Sequence, residues 1–196
     1  MRLMMLGLVY AEPCDRIVQI GIGAGNMAGY MIRNFPEVVV HAIDIDPHAV
    51  ELGMRWFGLE RNPRLKLEIA DGVAWLEAAR GPFDAVMLDA YDDDSIPPPL
   101  RSPDFFALVA SRLSPQGVAM QNLYLPAADP KRFVASLRSA FDQVDVFLSG
   151  SSAVLAAYQG RARRREALVA RARALDESLR PPHSLLAALD YRARAL

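Results

Sequence analysis

A single cysteine, Cys14, stands in the whole sequence, which excludes an internal disulfide and a cysteine-built metal cluster. Its place before an apolar stretch, with no histidine motif beside it, reads as structural burial rather than covalent catalysis. The three histidines, His41, His48 and His183, have no metal-ligand spacing, so no metal site is expected. No apolar run is long enough to cross a bilayer: the amino-terminal stretch Met1 to Tyr10 is interrupted by Glu12 and Asp15 and lacks a cleavage region. It reads as a helix packed on the core or on a partner. Repeats and long flexible linkers are also missing, and these features together point to a cytoplasmic chain built around one main domain.

What is present is apolar and alternating. Hydrophobic residues make up 52% of 196 positions, enough for a covered α/β core. Strands are expected at Ile17 to Ile20, Val38 to Ile43, Leu65 to Ile69, Phe83 to Leu88 and Val118 to Gln121, dense in β-branched residues as strands buried on both faces are. Helices fall between them: Asn26 to Asn34, a segment from Pro47 with Val50, Met54 and Phe57 on related positions, one through Val73 and Leu76, and Ser102 to Leu113. Trp56 and Trp75 are assigned to helix packing. Ser114-Pro-Gln-Gly117 marks a helix end, Pro130 opens a helix through Phe141, and Val144 to Leu148 with Ala153 to Ala157 read as an antiparallel pair. The result is a Rossmann-like fold with a seven-stranded sheet, of the type of class I S-adenosylmethionine-dependent methyltransferases, followed by a basic helix.

Chemistry concentrates at the strand ends. Gly21, Gly23 and Gly25 form a turn between the first strand and the first helix, where backbone can approach a nucleotide-like group closely. About twenty residues on, Asp44 ends the second strand, placed to accept hydrogen bonds from ribose hydroxyls or from backbone amides of its own turn. Asp46, before Pro47, reads as a helix cap. Asp71 fits either a cap or a ligand contact. Asp89 closes the fourth strand, at the ligand edge of an open parallel sheet. The polar, proline-rich stretch from Tyr91 to Leu100 reads as an active-site loop, in which Asp92, Asp93 and Asp94 are either solvated or functional. Tyr91 either lines a pocket or packs the loop, and Gln121-Asn122-Leu-Tyr124 offers a polar wall.

These blocks, Arg16-Ile-Val-Gln-Ile-Gly-Ile-Gly-Ala-Gly, Ala42-Ile-Asp-Ile-Asp-Pro, Ile69-Ala-Asp-Gly, Phe83 through Asp92 and Ile96-Pro-Pro-Pro-Leu, resemble in order the catalytic domain of spermidine synthases, the polyamine aminopropyltransferases, from about Met4 through Gly160. The divergent bacterial spermidine-synthase-like proteins lacking the full amino-terminal domain are closest in pattern. The resemblance implies that Gly21, Gly23 and Gly25, with Gln19 just before them, accept the amino-acid-like part of decarboxylated S-adenosylmethionine. By the same resemblance Asp44 holds its ribose, Asp71 and Gly72 sit beside the adenine, and Asp89 and Asp92 form the reaction centre, where Asp92, on the acceptor side with Tyr91, orients and helps to deprotonate the attacking amine. Family members carry an aspartate within the glycine turn where this chain has Ala24, and a small amino-terminal β-structured domain where this chain has a short apolar lead.

Three functions are compatible with these residues: an aminopropyltransferase, an S-adenosylmethionine-dependent methyltransferase, and a noncatalytic nucleoside-binding or assembly protein. The donor is expected as a cosubstrate, S-adenosylmethionine or its decarboxylated form, with no tightly bound cofactor, and a homodimer is expected from the family. Residues 1–160 form the catalytic unit in this reading and 161–196 an Arg-rich helical tail, with nine arginines against four acidic residues. The tail reads as a helix lying on the acidic body or on a partner. A membrane partner is not expected, and nucleic acid is not either, since no recognition motif accompanies the basic charge.

Overall fold

A computed structural model of the protein describes residues 2–92 and 95–193. One seven-stranded sheet runs through it in the order β3-β2-β1-β4-β5-β7-β6. The strands are β1 (Arg16–Ile20), β2 (Val39–Asp44), β3 (Leu65–Ile69), β4 (Phe83–Leu88), β5 (Leu113–Tyr124), β6 (Gln143–Ser149) and β7 (Ser152–Tyr158). The first five pair in parallel and β7 lies antiparallel to both neighbours.

Helices cover both faces, and strand alternation divides the core between them. The first core takes Ile17, Met87 and Met120 from the sheet. It packs them against a 3-10 turn (Arg2–Leu6), α1 (Gly7–Tyr10), α2 (Asn26–Asn34), α7 (Arg165–Leu179) and α8 (Leu185–Ala188). The second takes Val18, Val86 and Ala119 against α4 (Gly72–Ala78), α5 (Pro103–Arg112) and α6 (Pro130–Leu137). Every residue of β4 is buried, as a central parallel strand requires. Its one charged residue, Asp84, is satisfied by the N–H groups of Asp15 and Arg16 at 3.0 and 2.9 Å and by the Ser114 hydroxyl at 3.1 Å, so it fastens three chain segments.

The structure decides between some expectations and corrects others. For the amino-terminal stretch the first of the two readings holds, packing on the core rather than on a partner: Leu3 through Tyr10 are buried within their own chain. Ser114 to Gly117 does not separate helix from strand but lies inside β5, where the register to β4 jumps from Phe83 opposite Leu113 to Ala85 opposite Val118. In α3 (Pro47–Trp56), Trp56, Met54 and the following Phe57 are exposed rather than packed, and only Gly53 is buried. Trp75 is packed as expected, partly buried against the second core.

The basic helix α7 lies on its own body through Leu168 and Ala172. Arg171 pairs with Glu12 at 3.0 Å, and Arg163 lies 4.5 Å from the Tyr158 ring centre and 5.4 Å from that of Tyr10. Asp145 accepts from both of those phenols and from the Arg192 guanidinium, joining the amino-terminal turn, the antiparallel edge and the tail. Burial and this neighbouring carboxylate push the Tyr10 phenol far above its usual range, so it stays a donor. No described helix is long and apolar enough to cross a membrane.

Candidate active site

Strand register builds the site. Ile20 stands opposite Ile43 on one side and Leu88 on the other, so the next residues of the three strands, Gly21, Asp44 and Asp89, emerge together at the carboxyl edge. This is where strand order reverses between β1 and β4, the expected place for a ligand crevice. The Gly21 N–H donates to the Ile43 carbonyl and the Asp89 N–H to the Ile20 carbonyl, both at 2.9 Å, locking the three ends in one frame.

The crevice is a cavity of about 390 Å³. Gly21, Gly23, Asp44, Asp46, Asp71, Gly72, Asp89 and Tyr91 all contribute to its wall, and Pro97, Pro99 and Leu100 of the predicted loop close one side. Ile43, Ile45, Ala49 and Ala70 add apolar surface suited to a flat base.

The carboxylates differ in what they have left to offer. Asp44 accepts the Ile22 and Gly23 N–H groups through Oδ2, at 2.7 and 3.3 Å, and that of Asp46 through Oδ1 at 3.0 Å. A carboxylate has about four acceptor positions, so Asp44 both shapes the glycine turn and keeps capacity for a ligand hydroxyl. Asp46 caps α3 through the His48 N–H at 2.9 Å, as its position before Pro47 predicts. Asp71 caps α4 through the Ala74 N–H at 2.9 Å and also lines the cavity.

Asp89 is partly buried, and desolvation raises its pKa above the ordinary carboxylate range. One donor opposes that rise, the Asn122 Nδ2, 2.7 Å from Oδ1. Tyr91 fixes the neighbouring loop: its hydroxyl donates to the Asn122 carbonyl at 3.1 Å and accepts the Tyr124 N–H at 2.8 Å. It therefore packs the loop and lines the cavity at once.

Several sequence candidates lie outside the described lining of the cavity. Gln19 is buried and donates to the Gly21 carbonyl at 2.8 Å, supporting the turn from behind. Gly25 has φ of +76° and packs against Leu59 at the start of α2, so its role is in the turn. Asp92 is exposed and its Oδ1 accepts the Ser95 N–H at 2.6 Å in a loop turn. Asp93 and Asp94 lie outside the described residues. Gln121, Asn122 and Tyr124, offered by the sequence as a polar wall, lie outside the described lining, and sequence reading missed the part Asn122 plays in holding Asp89. Only the pairing of Leu88 with Gln121 places it beside Asp89, and that register is not visible in one sequence.

The strand order, the glycine turn and the acid-lined crevice define a Rossmann-like transferase fold of the S-adenosylmethionine-dependent methyltransferase type. The chain belongs to the spermine/spermidine synthase domain family, whose pattern matches residues 3–149. A polyamine aminopropyltransferase of Chromobacterium violaceum is 30% identical over 142 residues, covering 72% of this chain and 54% of that protein. The bovine eEF1A lysine and N-terminal methyltransferase is 29% identical over 199 residues, covering 89% of this chain and 27% of its own length. The chain thus spans about half and about a quarter of these two relatives. Among solved structures, human methyltransferase-like protein 13 in complex with SAH superposes with a TM-score of 0.77 at 26% identity, covering 93% of this chain and 89% of that one.

Proposed function

We propose that the protein transfers an aminopropyl group from decarboxylated S-adenosylmethionine to an amine, with residues 1–160 as the catalytic unit. One observation carries this reading: the described lining of the cavity holds four aspartates and no basic side chain. A donor bearing both a sulfonium and a free ammonium gains from such a wall, whereas a carboxylate on the donor would face like charge. In the proposed arrangement Asp44 takes the ribose, Asp71 and Gly72 flank the adenine, and Gly21 and Gly23 let the chain of the donor pass close to backbone.

The attacking nitrogen forms a bond to the aminopropyl carbon as that carbon's bond to sulfur breaks. The electron pair returns to sulfur, leaving methylthioadenosine. The nitrogen must shed one proton. The resemblance gives that proton to Asp92, but Asp92 lies outside the described cavity lining, and we assign it instead to Asp89, which lines the cavity and is oriented by Asn122. Tyr91 and Asp92 are assigned to the amine's side of the loop. Because the leaving group is already activated, alignment and charge stabilisation supply most of what the protein adds.

A second reading, methyl transfer from S-adenosylmethionine, is favoured by Ala24 in place of an acidic residue in the turn and by the SAH-bound relative that matches nearly end to end. Incubation of the full chain with each donor and a panel of diamines, followed by mass spectrometry, separates them. The proposal expects methylthioadenosine with an aminopropylated product in equal amounts. Methylated product from S-adenosylmethionine, with none from the decarboxylated donor, overturns it.

A further inference from the structure

A second cavity, of about 430 Å³, opens at the edge of the sheet opposite the aspartate crevice. Asp15 and Val38, the residues just before β1 and β2, line it, and the Val39 N–H donates to the Asp15 carbonyl at 2.7 Å, joining the two strand starts. Gly21 of the crevice stands beyond the other end of β1, about 20 Å away at the usual rise of a strand. A small molecule in one cavity therefore does not reach the other.

The walls are apolar. Helix α7 supplies one of them, because Arg171, Leu175 and Leu179 recur at every fourth residue and so share a face. Leu175 and Leu179 are only partly buried against the first core, which leaves hydrocarbon turned toward the opening. Leu8, Phe35 and Val38, all buried, stand around the same space, whose volume falls in the range of small-molecule sites, roughly 300 to 1,000 Å³. Cys14 lines it too, 7% exposed. Burial, reinforced by the Asp84 carboxylate, pushes that thiol far above its ordinary range, so the wall there is neutral.

Charge at the mouth narrows what the cavity takes. Glu12, Asp15 and Glu37 border it with exposed side chains, and Arg171 is the one basic residue of its described lining. That guanidinium is already committed: Nε donates to the Leu8 carbonyl at 3.2 Å and Nη1 pairs with Glu12 at 3.0 Å. Asp15 and Glu37 enter no ion pair among the described residues, so their charge stands unbalanced beside an apolar hollow. An apolar anion meets repulsion at such a rim, whereas an apolar cation is drawn to it.

We propose that this cavity binds a small amine with an apolar body. The body lies against Leu8, Phe35, Leu175 and Leu179, and the ammonium faces Asp15 and Glu37. The site is separate from the donor crevice and does not depend on the donor reading, so it is tested with no donor present.

Phenylbutylamine, phenylbutanol and phenylbutyrate share one body and differ only at the head group. Calorimetric titration of the full chain is expected to rank amine, alcohol and acid in falling affinity, with the acid at least about tenfold weaker than the amine. Asp15→Asn combined with Glu37→Gln should weaken the amine about fivefold and leave the alcohol unchanged, with a wild-type circular dichroism spectrum because both positions are exposed. Leu175→Trp fills the hollow and should abolish binding of amine and alcohol alike; if that variant fails to fold, the charge-removed variant decides. An amine whose binding ignores the charge removal overturns the proposal, since it then sits elsewhere, the aspartate crevice included. Equal affinity for amine and acid overturns it as well, as does no binding of the amine at millimolar concentration.

Discussion

Asp89→Asn is expected to fold normally, to bind the donor nucleoside and to lose about 10²- to 10⁴-fold in turnover, the usual contribution of a positioned proton acceptor. The carboxamide oxygen still accepts from Asn122, so geometry is kept while proton affinity is removed. The stability change has the opposite sign to the activity change. Burial raises the Asp89 pKa in the folded state, so folding favours its protonated form. Its favourable contribution is complete below the ordinary carboxylate pKa and is lost as pH rises through the elevated folded value. At neutral pH the wild type therefore holds a partly desolvated charge that the variant does not, and Asp89→Asn should be at least as stable there. Urea midpoints measured across the acid range check the stability claim. The wild-type rate should rise with pH on an acid limb displaced above the ordinary carboxylate range, and that limb should be missing from the residual activity of the variant.

The second large effect separates two glycines two residues apart. Gly21 has φ of +87°, and a Cβ built on it would lie 2.5 Å from the Asp89 carbonyl oxygen and 2.6 Å from the Ala90 Cα and nitrogen. These are backbone atoms of the neighbouring strand end and cannot swing aside. Gly21→Ala is therefore expected to cost roughly 3 kcal/mol or more and to abolish donor binding, because the same displacement pulls Asp44 and Asp89 out of frame. Gly23 has φ of +51° with nothing within 4 Å of its would-be Cβ. Gly23→Ala should cost only about 1 kcal/mol in folding while its methyl intrudes on the cavity and weakens binding. Denaturation and calorimetry on both variants give the comparison. Equal destabilisation of the two would contradict the packing described.

The different legibility of these positions has a physical cause. Period, turn residues and caps act over a few neighbours, so β3, β4 and α2 were readable to the residue, Asp46 as a cap and Ser102 as the start of its helix. The glycine turn, Asp44 and Asp89 were readable too, because the end of a parallel strand is marked by the same local signals. What required tertiary information lay beyond that range. Asn122 meets Asp89 only through the pairing of β4 with β5, and the strand β5 continues through Pro115 and Gly117 because a bulge opposite Asp84 absorbs residues that read locally as a break. Gln19 illustrates the converse: it stands in the right block of sequence, but alternation turns its side chain into the core behind the turn. The exposed face of α3 was misread for a related reason, since apolar spacing says that a surface is to be covered and not by what.

The central claim is that an aspartate-lined nucleoside crevice selects a doubly cationic donor. Titration calorimetry of the full chain with decarboxylated S-adenosylmethionine, S-adenosylmethionine and methylthioadenosine tests it directly. The account predicts that the decarboxylated donor binds at least about tenfold more tightly than S-adenosylmethionine, a difference of about 1.4 kcal/mol. Methylthioadenosine should also bind, through the ribose and base contacts it shares with the donor. Tighter binding of the carboxylated donor, or no binding of any of the three, would contradict it.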